Sequence, residues 1–194
     1  MRQNSLCLTV ALILSVVGCK HKPAPAPVKE VKEAPPERVV AAISELKSSL
    51  GKKLKAEIAK GGPVAAVETC RLEAPALAAG LQRPGLRIGR TSHKLRNPAN
   101  AAPAWAKAAV SEAAGRLVSE VKRRRVFKLA EGRRGYLEAI GVGALCMTCH
   151  GPPAAMAAPL AARIAAAYPS DQATGFAEGD LRGWFWVEYD ARSR

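Results

Sequence analysis

The chain has 194 residues, of which 48% are hydrophobic and only 5% aromatic. This length and composition predict one core-bearing domain with a targeting segment and a tether, and they exclude a chain of several large domains. The formal net charge of +14 suits a polyanionic partner, but the export signal described next removes nucleic acid from the candidates.

The first 18 residues have the pattern of an export signal. Arg2 precedes an apolar run from Leu6 to Val17, which is shorter than the roughly 18 to 20 residues that a membrane-spanning helix needs. Cys19 follows the small residue Gly18, as in the bacterial lipobox, so we expect its thiol to carry a lipid. Lys20 at the next position favours sorting to the outer membrane. The sequence therefore predicts an exported protein that is lipid-anchored at the periplasmic face of the outer membrane.

Residues 19–37 are rich in Pro and charge and have almost nothing to bury, which predicts an extended tether before a domain over residues 38–194. Apolar residues recur every three or four positions over residues 37–60, which predicts an amphipathic helix that ends at Gly61-Gly62-Pro63. A second helix is expected from Pro63. Its apolar stripe comprises Val67, Cys70, Ala74, Leu77 and Leu81.

The rest of the chain alternates between short strands and helices. The predicted elements, in chain order, are a strand at 86–91, a loop at 93–103, a helix from Ala104 to about Arg123, strands at 125–130 and 136–142, a loop around Cys146, a helix at 159–167 and a strand at 183–189. Because helices flank strands that are mostly joined as hairpins, the expected fold class is α+β.

The densest basic cluster runs from Lys122 to Arg125 and continues through Lys128, Arg133 and Arg134. A charged helix face exposed to solvent is the interpretation that we favour. Attraction to anionic lipid head groups and docking of an acidic redox partner are the alternatives.

Residues 146–150 read Cys-Met-Thr-Cys-His, which is the C-x-x-C-H sequence that attaches c-type haem. Two thiols three residues apart reach the two vinyl groups of one porphyrin, and the adjacent imidazole then lies under the iron. A disulfide or redox pair between Cys146 and Cys149 leaves His150 unexplained, and a zinc site would also need Cys70. The motif predicts one covalent haem c, attached through Cys146 and Cys149 with His150 as an iron ligand.

The remaining thiol is that of Cys70, because Cys7 lies in the signal and Cys19 in the lipobox. From the residues alone, Cys70 is either a small core residue on an apolar helix face or the sixth ligand of the iron. Met156 and His93 are the other candidates for that ligand.

The chain resembles a bacterial family of small exported c-type haem proteins with a PAS-like fold, also found as sensory regions of signalling proteins. Four segments carry the resemblance: AVETCRLEAPALA, GRTSHKLRNPANAAPAW, CMTCHG and YPSDQATGFAEGDLRGWFWV. It runs from about Val64 to Val187. It implies a PAS-like antiparallel sheet with long N-terminal helices, and an iron ligated by His150 on one side and Cys70 on the other.

Several polar residues near these segments are further candidates. Three of them can bind haem propionates or, alternatively, cap and brace the loop, namely Arg90, Arg96 and Asn97. We expect three others to fix turns before the last strand, namely Asp171, Asp180 and Arg182.

A thiolate ligand stabilises ferric iron, so Cys/His ligation predicts a low reduction potential. Because two axial side chains leave no open iron position for a substrate, we expect no enzymatic activity. A redox or diatomic-gas sensor is favoured, with a low-potential electron-transfer cytochrome as the alternative and a haem enzyme as the third choice. The chain has no output module, so a sensor would act through an unknown redox or signalling protein.

Overall fold

The computed structural model describes residues 28–192, so the predicted signal, Cys19 and the first part of the tether lie outside the described residues. Its helices and strands are β1 (Lys29–Val31), α1 (Glu37–Gly80), β2 (Leu86–Thr91), α2 (Lys107–Glu112), β3 (Arg124–Lys128), β4 (Arg133–Gly141), α3 (Ala144–His150), α4 (Ala158–Ala167) and β5 (Leu181–Asp190). The α+β class is confirmed. Within residues 28–192, no helix combines the length and the hydropathy that crossing a bilayer requires.

The strands form one five-stranded antiparallel sheet in the order β1-β3-β4-β5-β2. The period of two predicted for the last strand is present in β5. Phe185, Val187 and Tyr189 belong to a core beneath α1, whereas Trp184 belongs to a second core on the opposite face. Both faces of β5 are therefore largely buried, and the strand forms the middle layer of the domain.

Helix α1 is a hairpin of two arms, at residues 37–60 and 63–80. The helical geometry is interrupted at Gly61 and Gly62, where Gly62 has a φ of 72°. Lys53 and Glu73 form an ion pair across the two arms, although a straight helix would place residues this far apart in sequence about 30 Å from each other. The predicted pair of helices that meet at the Gly-Gly-Pro sequence is thus confirmed.

The first arm covers one face of the sheet with Val39, Ile43 and Leu46. The other face is covered by Trp105 and by α2. The indole Nε1 of Trp105 donates to the buried Glu188 carboxylate at 2.9 Å, and Arg133 pairs with the same carboxylate at 2.6 Å. The buried charge of Glu188 is therefore satisfied by an indole and by a guanidinium.

The predicted helix from Ala104 to about Arg123 is much shorter than expected. A short 3-10 turn and α2 together cover residues 104–112. The chain then turns at Gly115, which has a φ of 74°, and the amide of Val118 donates to the carbonyl of Gly179 at 2.9 Å. Contact with a distant loop thus replaces the helix that the alanine-rich sequence favours.

The predicted tether is also partly folded. Residues Lys29–Val31 form β1, which pairs with β3 at the edge of the sheet. Glu30 pairs with Lys122 and Arg125, and Glu33 pairs with Arg134. The domain therefore begins before residue 38. Much of the basic cluster is neutralised by these acids, and it lies on strands rather than on the predicted helix face.

Glycine at position 89 allows an aromatic ring to lie flat on the sheet. A Cβ atom at Gly89 would come within 2.5 Å of the Trp186 ring on the neighbouring strand. We expect Gly89→Ala to lower the free energy of unfolding by about 1 to 3 kcal/mol, because the ring must move. Gly51→Ala is the matched control, since its Cβ would meet nothing within 4 Å. Urea unfolding measures both, and equal midpoints would contradict the packing of Trp186 on Gly89.

Candidate functional site

Helix α3 carries all three residues of the C-x-x-C-H motif, where the sequence predicted a loop. Cys146 and Cys149 are three residues apart in this helix and therefore share one of its faces. Both thiols are free. His150 is the last residue of the helix, so a short rigid element presents two sulfurs and an imidazole together.

The imidazole of His150 is held in one tautomer. Its Nδ1 lies 2.7 Å from the carbonyl oxygen of Ala173. Because a carbonyl can only accept, Nδ1 carries the proton and the lone pair of Nε2 is left for a metal. Burial lowers the pKa of His150 to about 3, and the charges of Arg182 and Arg96 act in the same direction. The ring is therefore neutral, as a metal ligand must be.

The loop over residues 171–176 is hydrogen-bonded to the end of α3. The amide of Phe176 donates to the carbonyl of His150 at 3.0 Å, and the amide of Gly175 donates to that of Gly151 at 2.9 Å. The Phe176 ring stands perpendicular to the His150 ring, with 6.4 Å between the ring centroids. The loop thus fixes both the backbone and the ring of His150.

A buried ion pair in turn fixes this loop. Arg96 and Asp171 are 3.0 Å apart, with only 12% and 10% of their side chains exposed. Arg96 also donates to the carbonyls of Cys149 at 2.6 Å and Ala173 at 3.2 Å. Asp171 accepts from the amide of Ala173 at 2.8 Å, which is the turn-fixing role expected of it. The sequence offered two roles for Arg96, which were binding a haem propionate and bracing the loop. These contacts correspond to the bracing role.

Two further residues of the predicted turns and loops, Asn97 and Asp180, make local contacts. The Asn97 side chain accepts from the amide of Ala99 at 2.9 Å and so caps a 3-10 turn. The Asp180 carboxylate accepts from the amide of Ala177 at 2.7 Å. Both contacts stabilise the backbone around the site.

Cys70 lies near the motif although it is far away in sequence. It belongs to none of the buried apolar clusters of the described residues, whereas Val67, one turn earlier, packs against α4. Burial raises the pKa of the Cys70 thiol, while the positive charges of Arg90 and Arg96 oppose this. Burial also raises the pKa of Cys149, with a further contribution from Cys70. The two sulfurs are therefore within electrostatic reach of each other.

Arg90 is a half-buried cation without a partner among the described residues. It lies on β2 opposite Phe185, and within residues 28–192 its guanidinium forms neither a hydrogen bond nor an ion pair. Burial lowers its pKa, and the neighbouring Cys70 and Tyr168 oppose the shift. Burying an unpaired charge is costly. The guanidinium is therefore suited to receive an anionic group beside Cys70.

Arg182 does not fix a turn before the last strand, contrary to the prediction from the sequence; it lies within β5, which begins at Leu181 instead of at residue 183. Its Nη1 donates to the Ser92 hydroxyl at 2.9 Å and to the Lys94 carbonyl at 3.2 Å. Its guanidinium lies over the Phe176 ring, 5.1 Å from the centroid. Burial lowers its pKa to about 10, with Arg96 and Arg90 contributing. A predicted strand two residues longer would have placed it in the sheet.

The alternative ligand candidates occupy other parts of the site. His93 packs edge-on against Phe176, with centroids 5.7 Å apart. Met156 packs in the apolar cluster of Val67 and α4, which Cys149 also contacts. Among residues 28–192, no three His, Cys, Asp or Glu side chains are placed so that they could hold one metal ion. A zinc site built from the cysteines and His150 therefore has no support in the geometry.

Comparison with known proteins identifies one family and one solved structure. The family model described as Tll0287-like matches residues 29–189, which include β1. The crystal structure of the cyanobacterial heme-protein Tll0287 superposes with a TM-score of 0.55 and 25% sequence identity, over 83% of this chain and 99% of that one. No curated protein sequence gives a match.

The contribution of the Arg96–Asp171 ion pair to the 171–176 loop can be tested by removing its carboxylate. Asp171→Ala leaves the buried Arg96 unpaired and removes the acceptor for the Ala173 amide, so we expect a loss of about 3 kcal/mol in the free energy of unfolding. Asp180→Ala, which removes one hydrogen bond, should cost about 1 kcal/mol. Urea unfolding measures both variants. Equal costs would show that the ion pair does not stabilise this loop.

Proposed function

The chain belongs to the Tll0287-like family, and on that premise we propose that it binds one haem c. Cys146 and Cys149 would hold the porphyrin covalently, and His150 and Cys70 would be the axial ligands. The observation that carries the proposal is the His150 imidazole, which is neutral and held by Ala173 beside two free thiols on α3. The similarity to a solved haem protein supports it. We also propose that the chain has the PAS-like fold of the family that it resembles.

The described residues fit such a cofactor. Haem c supplies an iron that takes up and releases one electron, together with two carboxylates. The partnerless guanidinium of Arg90 has donors for a carboxylate and lies beside the sulfur of Cys70. Arg96 and Asn97 were the other propionate candidates. Arg96 holds the loop around His150, and Asn97 caps a 3-10 turn, which makes Arg90 the strongest candidate of the three.

We propose that the protein is a redox or diatomic-gas sensor. The two proposed ligands are held very differently. His150 is fixed by the 171–176 loop and its ion pair. Cys70 is carried by the second arm of α1, which is joined to the first arm at Gly61 and Gly62. Movement of Cys70 can therefore be passed to that arm while His150 stays in place. This asymmetry favours a sensor over the alternative, an electron-transfer cytochrome whose ligands stay fixed.

The remaining parts of the proposal concern location and partners. We propose that the protein is exported and anchored through a lipid on Cys19 at the periplasmic face of the outer membrane. With two axial side chains on the iron, no position is left for a substrate, so no enzymatic activity is proposed. The output would pass to a redox or signalling protein.

Covalent attachment is tested by extraction with acid-acetone. Thioether bonds survive this treatment, so haem should stay with the wild-type protein and with Cys70→Ala. Replacing both Cys146 and Cys149 by Ala should leave all haem extractable, because no thioether can form. Haem that is stripped from the wild type, or retained by the double variant, would contradict the attachment sites.

Ligation by Cys70 is tested by absorption spectroscopy. Cys70→Ala should abolish the low-spin thiolate spectrum of the ferric protein, keep the haem covalently bound and raise the reduction potential. Met156→Ala and His93→Ala serve as matched controls and should leave the spectrum unchanged. An unchanged spectrum in Cys70→Ala would make Cys70 a structural residue. Failure of the ferrous wild type to bind carbon monoxide would favour the electron carrier over the sensor.

A further inference from the structure

A row of cations crosses three neighbouring strands at one end of the sheet. Lys29 on β1 lies directly opposite Lys128 on β3, which lies directly opposite Arg134 on β4. Side chains paired in this way share one face of the sheet, and like charges placed opposite each other are destabilising. The two lysines are exposed and, within residues 28–192, neither forms an ion pair. Glu33, which pairs with Arg134, compensates this row only in part, and such a local conflict is common at functional surfaces.

The same end of the sheet carries further positive charge. Arg192 lies near the turn between β3 and β4, because its guanidinium is 3.8 to 3.9 Å from the position that a Cβ atom at Gly132 would occupy. Arg192 is exposed and has no ion pair within the described residues. We call the four cations the basic rim, namely Lys29, Lys128, Arg134 and Arg192. Glu33, which pairs with Arg134, and Glu131 are carboxylates of the same rim.

The neighbouring cations are different, because they already have acidic partners. Lys122 and Arg125 pair with Glu30, and Arg124 pairs with Glu138. The cluster that is densest in sequence is thus largely neutralised in the fold. Lys29, Lys128 and Arg192 of the rim, in contrast, have no ion pair within the described residues.

The chain enters the domain at this rim. Only residues 20–28 separate Cys19 from Lys29, and an extended Pro-rich segment of that length reaches about 28 Å. The separating residues include Lys20 and Lys22, which add two cations. A lipid on Cys19 would therefore hold the rim close to the head groups, within a few Debye lengths at physiological ionic strength.

We propose that the basic rim docks on an anionic lipid surface and sets the orientation of the domain on the membrane. This inference rests on the lipid anchor of the proposed function. The anchor limits the distance from the membrane, and the rim determines which side of the domain faces it. Juxtamembrane cations bind phosphatidylglycerol-containing surfaces by charge attraction, which is weakened by salt.

The test measures vesicle binding without the anchor. The full holoprotein carrying Cys19→Ser is sedimented with phosphatidylethanolamine vesicles that contain about a quarter phosphatidylglycerol, at low and at high salt. A rim variant carries Lys29→Glu, Lys128→Glu and Arg192→Glu. The matched control carries Lys47→Glu, Lys52→Glu and Lys55→Glu, three exposed lysines of the first arm without ion pairs, so both variants have the same net charge.

We expect the rim variant to bind at least about tenfold more weakly than the matched control, and high salt to remove the difference. A second rim variant with Gln at the three positions avoids new repulsion, and its haem absorbance reports the intact fold. It should also bind more weakly than the control. Equal losses in the rim variant and the control would assign binding to the overall charge and overturn the proposal.

Two further outcomes separate the possible explanations. Unchanged vesicle binding by the rim variants, together with lost binding to immobilised polyglutamate, would assign the rim to an acidic protein and overturn the proposal. Cys19→Ser protein that remains in cell membranes after a high-salt wash would contradict the lipid anchor. That result is independent of the vesicle comparison, so failure of the anchor and failure of the rim are distinguishable.

Discussion

The site depends on the buried ion pair between Arg96 and Asp171. This ion pair holds the 171–176 loop in place, and the loop supplies the Ala173 carbonyl that accepts the hydrogen bond from Nδ1 of His150. Taking two charges out of water is expensive, and it is offset here because Arg96 also donates to two backbone carbonyls, while Asp171 accepts a backbone amide. The pair fixes one geometry instead of merely adding stability. A ligand that must present Nε2 in one direction needs such a fixed support.

The architecture brings the two sides of the site from separate layers. His150 and the motif cysteines follow β4 on α3, at one end of the sheet, whereas Cys70 comes from the hairpin of α1 that covers a sheet face. The second arm is linked to the region of the motif by the packing of Val67 against α4 and by a partly exposed ion pair between Glu68 and Arg163. These two contacts therefore help to set the gap between the two sides. Partly exposed contacts of this kind can shift at a lower energetic cost than the buried ion pair behind the 171–176 loop.

Local signals in the sequence were sufficient for several of the elements. The Gly-Gly-Pro break in α1 and the alternation in β5 each lie within a few residues, and each is found in the structure as predicted. The residues of the C-x-x-C-H pattern lie together on α3, where a loop was predicted. Long-range contacts were not predictable in this way. Glu30 reaches Arg125 across 95 positions, which turns part of the tether into β1. Loop contacts around Gly179 likewise end the alanine-rich helix early. Neither contact can be inferred from the residues that are close to it in sequence.

The distribution of charge connects these features. Arg90, Arg96 and Arg182 are close enough to influence one another, and Asp171 is the carboxylate that counters them. Gathering cations in a buried place is unfavourable unless anions join them. The charges of Arg90 and Arg96 also act on the sulfur of Cys70. A cofactor with two carboxylates and a thiolate ligand would bring the negative charge that balances these cations. The positive charge of the site thus favours a ligand that carries negative charge. The exposed charge of the basic rim, in contrast, concerns only the orientation of the domain on the membrane.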